Sequence, residues 1–163
     1  MIVVSDTTPL ISLLKIGRLN ILKELFNEIQ IPKAVYDELI NNELYCDEAE
    51  KIKHCEFITV SDVNDKYSVE LISKVGELDL GESEAIILAD IMKADLLIMD
   101  EAKGRSVAKS LGLNITGTIG LLISAYNHNY LTKNDILDCV ETFRKTKRYI
   151  GEKYYQMLIR KIS

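Results

Sequence analysis

Short runs of apolar, mostly β-branched residues alternate along this chain with longer segments of helical periodicity. The runs fall at residues 2–5, 28–31, 56–60, 96–99 and 113–116. This alternation is typical of βαβ units, which build a parallel sheet with helices on both faces. The run at 96–99, LLIM, is wholly apolar, as expected of a central parallel strand. The sequence therefore predicts an α/β fold with three layers, in which helices flank a central parallel sheet.

The length and composition fit one domain that spans residues 1–163. A chain of 163 residues with 47% hydrophobic content can bury about two-thirds of its unfolded surface. Its two prolines and eight glycines form no linker-like cluster. No apolar stretch reaches the length of a membrane span, and the N-terminal MIVVSDTTPL lacks the basic start of a secretory signal. We therefore expect a cytoplasmic protein without a membrane partner.

The cysteines and histidines do not predict a zinc site. Three cysteines, which lack a C-x-x-C spacing, lie far apart at Cys46, Cys55 and Cys139. His54 stands next to Cys55, but adjacent residues rarely bind one ion, and no second pair follows at finger spacing. We expect reduced thiols, which agrees with a cytoplasmic location.

Two aspartates follow predicted strands. Asp6 comes directly after the first strand, and Asp100 directly after LLIM. Thr8 is predicted to cap a helix that begins at Pro9, which would leave Asp6 beside a helix N-terminus. Ligands of open α/β sheets bind outside the carboxyl ends of the strands. We therefore expect Asp6 and Asp100 to lie at one edge of the sheet, in the binding crevice.

Two glutamates lie on helices predicted to cover that sheet. A helix from Pro32 through residue 40 places Glu38 three and four residues after the apolar pair AV. A second helix, at about 81–93, aligns Glu82 with Ala85, Ile86 and Ala89. We expect both glutamates to face the sheet. Glu84, two residues beyond Glu82, should point roughly the opposite way.

Acids placed among core positions are costly unless a cation or a hydrogen-bond donor meets them. Mg²⁺ and Mn²⁺ prefer oxygen ligands, and a pair of such ions can support an in-line phosphoryl displacement. The carboxylates of Asp6, Glu38, Glu82 and Asp100 therefore indicate a site for one or two of these ions, suited to phosphodiester hydrolysis. Most acids are solvated surface charges, so the placement of the four together carries this interpretation.

Several other residues are weaker candidates for substrate contacts. Thr7 could bind a phosphate or a metal-bound water, although a threonine at such a turn usually satisfies backbone groups. Thr116 and Thr118 flank Gly117 before a helix whose N-terminus could receive a phosphate, although ordinary capping explains them too. Lys103 and Arg105 follow the last of the four acids, where a nucleic-acid backbone or solvent could meet them.

The charge distribution is uneven along the chain. The formal net charge is -5, which argues against binding a polyanion. Between positions 144 and 161, however, seven basic residues face a single acid, Glu152. The basic residues are Arg144, Lys145, Lys147, Arg148, Lys153, Arg160 and Lys161. This C-terminal helical extension, from about residue 131, could contact RNA, pair subunits or cover the sheet. Its charge could also simply be that of a solvated helix face.

Four segments resemble successive blocks of the PIN-domain family, close to its VapC-like toxin branch. They are VVSDTTPLISLLKIGRLNIL, IPKAVYDELI, LDLGESEAIILA and ADLLIMDEAKGRSVAKSLGL, which together cover most of residues 2–125. The acids of the family pattern fall on Asp6, Glu38, Glu82 and Asp100. In VapC-type toxins the third acid is often an aspartate, and Glu84 is a second candidate for it. We treat Glu101, which follows Asp100, as a surface residue.

The resemblance implies a sheet in the order 3-2-1-4-5 and an acidic Mg²⁺ or Mn²⁺ site. It further implies a single-strand-directed endoribonuclease that leaves a 3′-hydroxyl and a 5′-phosphate without a protein nucleophile. Such a protein would be the toxin of a toxin–antitoxin pair, a homodimer neutralised by an antitoxin.

Two other functions remain open from the sequence. Aspartyl-phosphate phosphatases also begin with a strand that ends in aspartate, but they need a second aspartate two residues later, where this chain has Thr8. A PIN-like module that binds RNA or protein without cutting is the main alternative. The presence of all four acids weakens it.

Overall fold

A computed structural model describes residues 1–146 and 150–163 and shows a five-stranded sheet. The strands are β1 (Val3–Ser5), β2 (Ile29–Pro32), β3 (Ile58–Ser61), β4 (Leu96–Ile98) and β5 (Ile115–Thr116). Every pairing is parallel, and the order is β3-β2-β1-β4-β5. The predicted fold class and sheet order are confirmed. The strand ends differ from the predicted ones by one or two residues.

Helices cover both faces of this sheet. They are α1 (Thr7–Lys15), α2 (Ile21–Phe26), α3 (Lys33–Asn41), α4 (Cys46–Lys53), α5 (Lys66–Gly76), α6 (Leu80–Ile91), α7 (Ala102–Ser110), α8 (Thr118–Asn127), α9 (Lys133–Lys145) and α10 (Glu152–Ile162), with a 3₁₀ turn at Glu43–Tyr45. Side chains alternate between the faces of a strand. Val3 and Ile98 accordingly join one core with α1 and α8, whereas Val4 and Leu97 join the other with α6.

Some helix starts differ from the predicted ones. The first helix begins at Thr7 rather than Pro9, and its N-cap residue is Asp6, so the prediction that Thr8 caps it is wrong. Asp6 has an extended backbone (φ -82°, ψ 173°), as in a strand, and the helix begins at the next residue. Asp6 is therefore closer to the N-terminus of α1 than expected. The helix predicted at about 81–93 is α6, with Asp79 as its N-cap.

The C-terminal helices pack on α8 and on each other. The spacing of Thr132 and Asp135 predicts a capping box, which is present at the start of α9. A spacing of four residues predicts an apolar stripe of Ile150, Tyr154, Leu158 and Ile162 in the last segment. This prediction is partly wrong, because Tyr155 is fully buried and stacks on Phe143 whereas Tyr154 is 48% exposed. Lys147 and Arg148 of the predicted basic extension lie outside the described residues. None of the helices in the described part of the chain is long and apolar enough to cross a membrane.

Candidate active site

Asp6 lies at the carboxyl end of β1, in the middle of the sheet. Its backbone N–H donates to the carbonyl oxygen of Ile98 in the neighbouring β4, at 3.0 Å. This bond continues the parallel ladder in which Ser5 pairs with Ile98. The residue is only 3% exposed. The fold therefore places a buried carboxyl group at the edge where the sequence predicted a binding crevice.

Burial raises the pKa of Asp6 from 3.8 to about 7. The backbone N–H of Thr7 lowers the pKa, as expected of a donor at a helix N-terminus, but less than burial raises it. The negative charges of Asp79, Glu82 and Glu38 raise it further. Burial therefore favours the protonated form of Asp6 at pH values up to about 7, and three other acids act on the same carboxyl group.

Glu38 reaches this group of acids from α3. Its Oε2 accepts a hydrogen bond of 2.9 Å from the hydroxyl of Thr7, the residue that follows Asp6. On the opposite side, a Cβ at Gly81 would lie 3.2 Å from the same oxygen. Glycine therefore allows α6 to approach the carboxylate closely. Glu38 as a residue is exposed, whereas its carboxylate contacts the buried Thr7, so Glu38 reaches the site from its rim.

Glu82 is held in a capping box at the start of α6. Its Oε2 accepts from the backbone N–H of Asp79 at 3.0 Å, and its own N–H donates to Asp79 Oδ1 at 2.8 Å. Partial burial raises its pKa, and the charges of Asp79, Glu101 and Glu38 add to the increase. Glu101 is exposed, as expected, yet its charge acts on the site.

Glu84 has a different partner. Its Oε2 accepts a hydrogen bond of 2.9 Å from the backbone N–H of Ala34, in the first turn of α3. The carboxylate thereby satisfies one of the free donors at that helix N-terminus. Glu84 therefore links α6 to α3. Glu82 is the residue of this pair whose charge raises the pKa of Asp6.

Asp100 lies just beyond β4, the strand that pairs with β1, and therefore at the same edge of the sheet as Asp6. Thr118 holds its carboxylate with two hydrogen bonds of 2.7 Å, one from the backbone N–H and one from the hydroxyl. The N-terminus of α8, which the sequence offered to a phosphate, thus receives this carboxylate. A Cβ at Gly117 would lie 2.6 Å from Asp100 Oδ1. Glycine is required there because any side chain would displace the acid.

The four weaker candidates occupy different places. Thr7 orients Glu38, as described above. Arg105 is half-buried, and its guanidinium donates to the carbonyl oxygen of Met99 at 2.8 Å, beside Asp100. Lys103 forms an exposed ion pair of 2.7 Å with Glu77. Thr116 ends β5 and packs against Gly120 of α8.

The side chains present match the chemistry of a hard divalent cation. Asp6, Glu38, Glu82 and Asp100 offer oxygen donors only, which suits Mg²⁺ or Mn²⁺. A buried carboxyl group with like charges around it gains most from a cation, since the cation replaces the proton that burial now favours. Within residues 1–146 and 150–163, however, no three acidic, histidine or cysteine side chains are already arranged as a metal site. Protein donors hold three of these carboxylates.

Two contributions to the site were not predicted from the sequence. Asp79 is the acid whose charge raises the pKa of Asp6 most. Its pattern, an aspartate three residues before Glu82, is a capping-box signal that could have revealed it. The second is the hydrogen bond from the Thr118 hydroxyl to Asp100: Thr118 was a candidate for a phosphate contact, but no local pattern links it to an acid 18 residues earlier.

Comparison with known proteins gives one result. A family model described as a PIN domain matches residues 2–163. Neither the curated proteins nor the solved structures give a significant match. PIN domains are typically nucleases and generally use divalent metal ions. Since the match covers nearly the whole chain and the sheet order agrees with it, the protein belongs to the PIN-domain family.

Proposed function

We propose that this protein is an endoribonuclease that uses Mg²⁺ or Mn²⁺ to hydrolyse RNA phosphodiesters. The observation that carries the proposal is the buried Asp6 carboxyl group at the carboxyl edge of the sheet, on which three further acids act. A purely structural N-cap would not need such neighbours, because they destabilise its charged form. Membership of the PIN family supports nuclease chemistry in general.

In this proposal the metal would be held by Asp6, Glu38, Glu82 and Asp100. When bound, it would supply an activated water and stabilise the charge of the leaving oxygen. Asp6 would have to lose its proton to hold the cation, so binding should strengthen as the pH rises through about 7. Thr7 orients Glu38 and Thr118 orients Asp100, each by hydrogen bonding to the carboxylate. No side chain acts as a covalent nucleophile.

We further propose that the protein is a VapC-like toxin, located in the cytoplasm and active as a homodimer that an antitoxin neutralises. The support is the resemblance of the four sequence blocks around these acids, together with the family membership. Expression should arrest growth of a bacterial host, and co-expression of the antitoxin should relieve the arrest. Growth at the rate of an empty-vector control would contradict the toxin assignment but not the nuclease assignment.

The nuclease proposal is tested with Asp6→Asn, which removes the charge with almost no change in shape. Wild type should cleave single-stranded RNA in Mn²⁺ and not in EDTA, and Asp6→Asn should lose cleavage while keeping the wild-type circular dichroism spectrum. Asp138→Asn, at an exposed position on α9, is the matched control and should cleave normally. Full activity of Asp6→Asn would refute the catalytic assignment.

A second candidate function is binding of RNA or protein without cleavage. The observation that favours it is that no metal site is already arranged among the described residues. In that case single-stranded RNA would bind to wild type in the presence of Mn²⁺, yet no RNA would be cut across varied substrates. Cleavage that Asp6→Asn abolishes would exclude this candidate.

A further inference from the structure

A groove leads away from Asp100 between α1, α7, α8 and α10. Its volume is about 830 Å³, and its walls include Thr8, Asp100, Arg105, Lys109, Tyr154 and Met157. Asp100 and Arg105 form the end next to the carboxyl edge of the sheet, while Tyr154 and Met157 belong to the C-terminal helix. The groove thus connects one acid of the proposed site with α10.

A second depression continues this groove along α10. Its volume is about 740 Å³, and it shares Tyr154 and Met157 with the first. The remaining walls are polar or basic and include Lys153, Arg160 and Lys161. Tyr154, Met157 and Lys161 are spaced three and four residues apart, so they lie on one face of the helix. We call this continuous surface, from Asp100 to Lys161, the α10 track.

The α10 track carries positive charge on a protein whose formal net charge is -5. Lys109, Lys153, Arg160 and Lys161 are all exposed. Across the described ranges 1–146 and 150–163, no carboxylate forms an ion pair with any of these four, in contrast to Arg144, which pairs with Glu152 at 2.5 Å. Cations left without acidic partners are available to a polyanion.

Exposed flat or flexible apolar side chains accompany these cations. Tyr154 is 48% exposed and Met157 is 42% exposed, although their neighbours Tyr155 and Leu158 are completely buried. Tyr155 and Leu158 therefore anchor α10 in the core, whereas Tyr154 and Met157 keep part of their surface exposed. An aromatic ring beside unpaired cations is the combination that binds single strands, because the ring stacks on a base while the cations meet phosphates.

We propose that the α10 track binds the single-stranded RNA substrate and leads it to Asp100, an inference that rests on the nuclease function proposed above. A base stacks on Tyr154 against Met157. Lys109 and Lys161 contact the phosphates on either side, and Arg105 meets the phosphate nearest to the carboxylates. The bond between Arg105 and the Met99 carbonyl holds its guanidinium at that end of the track. The C-terminal helix thus positions substrate and is not part of the metal site.

The test measures binding separately from cleavage. Wild type, Tyr154→Ala and Lys109→Ala are titrated in EDTA with a fluorescent oligouridylate of about twelve nucleotides, long enough for several bases to stack. Tyr154→Ala should weaken binding roughly 5- to 150-fold. Lys109→Ala should reduce the slope of log K against log salt by about 0.7. The matched controls are Tyr67→Ala and Lys51→Ala, at exposed positions on α5 and α4, and both should bind as wild type does.

Three results would overturn the proposal. They are wild-type binding by Tyr154→Ala, equal affinity for a duplex and a single strand, and loss of binding that coincides with dissociation of a dimer in sedimentation. The last result would identify the α10 track as an interface between two copies of the chain.

Cleavage kinetics separate this proposal from the nuclease function. Tyr154→Ala should raise KM and leave kcat close to the wild-type value, because Tyr154 contacts substrate away from the reacting phosphate. Tight binding that depends on Tyr154 without any cleavage would refute the nuclease and support the track. Normal cleavage with binding independent of Tyr154 would refute the track alone.

Discussion

Replacing Asp6 by asparagine should stabilise the metal-free protein at alkaline pH. Below pH 3.8 the carboxyl group is neutral in both the folded and the unfolded chain, so it makes no pH-dependent difference there. Between pH 3.8 and about 7 the unfolded chain has released this proton while the folded chain keeps it. The free energy of unfolding therefore falls as the pH rises through this window.

The magnitude follows from the size of the shift. Each unit of pKa corresponds to about 1.36 kcal/mol, so raising the pKa of Asp6 from 3.8 to about 7 costs the folded state up to about 4 kcal/mol above pH 7. Asparagine resembles the neutral carboxyl group and carries no charge to repel Asp79, Glu82 or Glu38. Asp6→Asn should therefore be about 4 kcal/mol more stable than wild type at pH 8, and close to wild type at pH 4.

Guanidinium unfolding in EDTA, repeated from pH 4 to pH 8.5, measures this difference. The midpoint of Asp6→Asn should diverge from that of wild type as the pH rises and then level off above about pH 7. Asp138→Asn should follow wild type at every pH. A difference that is constant with pH, or an Asp6→Asn variant less stable at pH 8, would refute the argument that burial of this charge sets the pKa.

Divalent cations should narrow the difference in stability between wild type and Asp6→Asn at pH 8. Mn²⁺ at a hundred times its dissociation constant adds about 2.7 kcal/mol to a protein that binds it only when folded. Wild type should gain this stability at pH 8 and much less at pH 6, where Asp6 is protonated. Asp6→Asn should gain little at either pH, and an equal gain in the two proteins would place the metal elsewhere.

Three further substitutions test the surroundings of the site. Thr118→Val removes one of the two donors to Asp100 and should lower Mn²⁺ affinity or cleavage about 10- to 100-fold, measured by titration and turnover. Glu84→Gln weakens the hydrogen bond from the Ala34 N–H, so it should lower the free energy of unfolding by about 0.5–1.5 kcal/mol while cleavage stays at the wild-type rate. Lost cleavage with unchanged stability would show that Glu84 belongs to the active site. Phe143→Ala should destabilise the chain by about 3–5 kcal/mol in the same unfolding assay, since Phe143 is completely buried in the packing of α9.

The sequence was sufficient for the architecture because periodicity reports which faces of an element are buried. The apolar run at 96–99 and its β-branched counterparts predicted a parallel sheet, and they placed Asp6 and Asp100 at one edge. The exact ends of the strands and helices were predicted less well. Thr8 looked like a cap because Pro9 suits a first helical position, but the extended backbone of Asp6 begins the helix two residues earlier.

The sequence predicted which face of a helix is buried only where a single set of apolar residues could form that face. In α10, Tyr154 and Tyr155 are adjacent and chemically identical, and the spacing of four residues from Ile150 to Leu158 predicted the wrong one, Tyr154, as buried. Contact with Phe143 of α9 decides for Tyr155. Tyr154 is thereby left exposed in the α10 track. The same limit applied to Glu38, which a helical stripe placed inward but which the structure places at an exposed rim.

The sequence by itself determined the α/β fold, the order of the acids along the chain and the edge of the sheet at which Asp6 and Asp100 lie. The tertiary structure alone decided the pKa of Asp6 and the hydrogen-bond partners of these acids. The pKa of Asp6 depends on burial and on the Asp79 charge, and the orientation of Asp100 depends on Thr118. These effects act through space between residues far apart in the chain, and local periodicity carries no information about such distances.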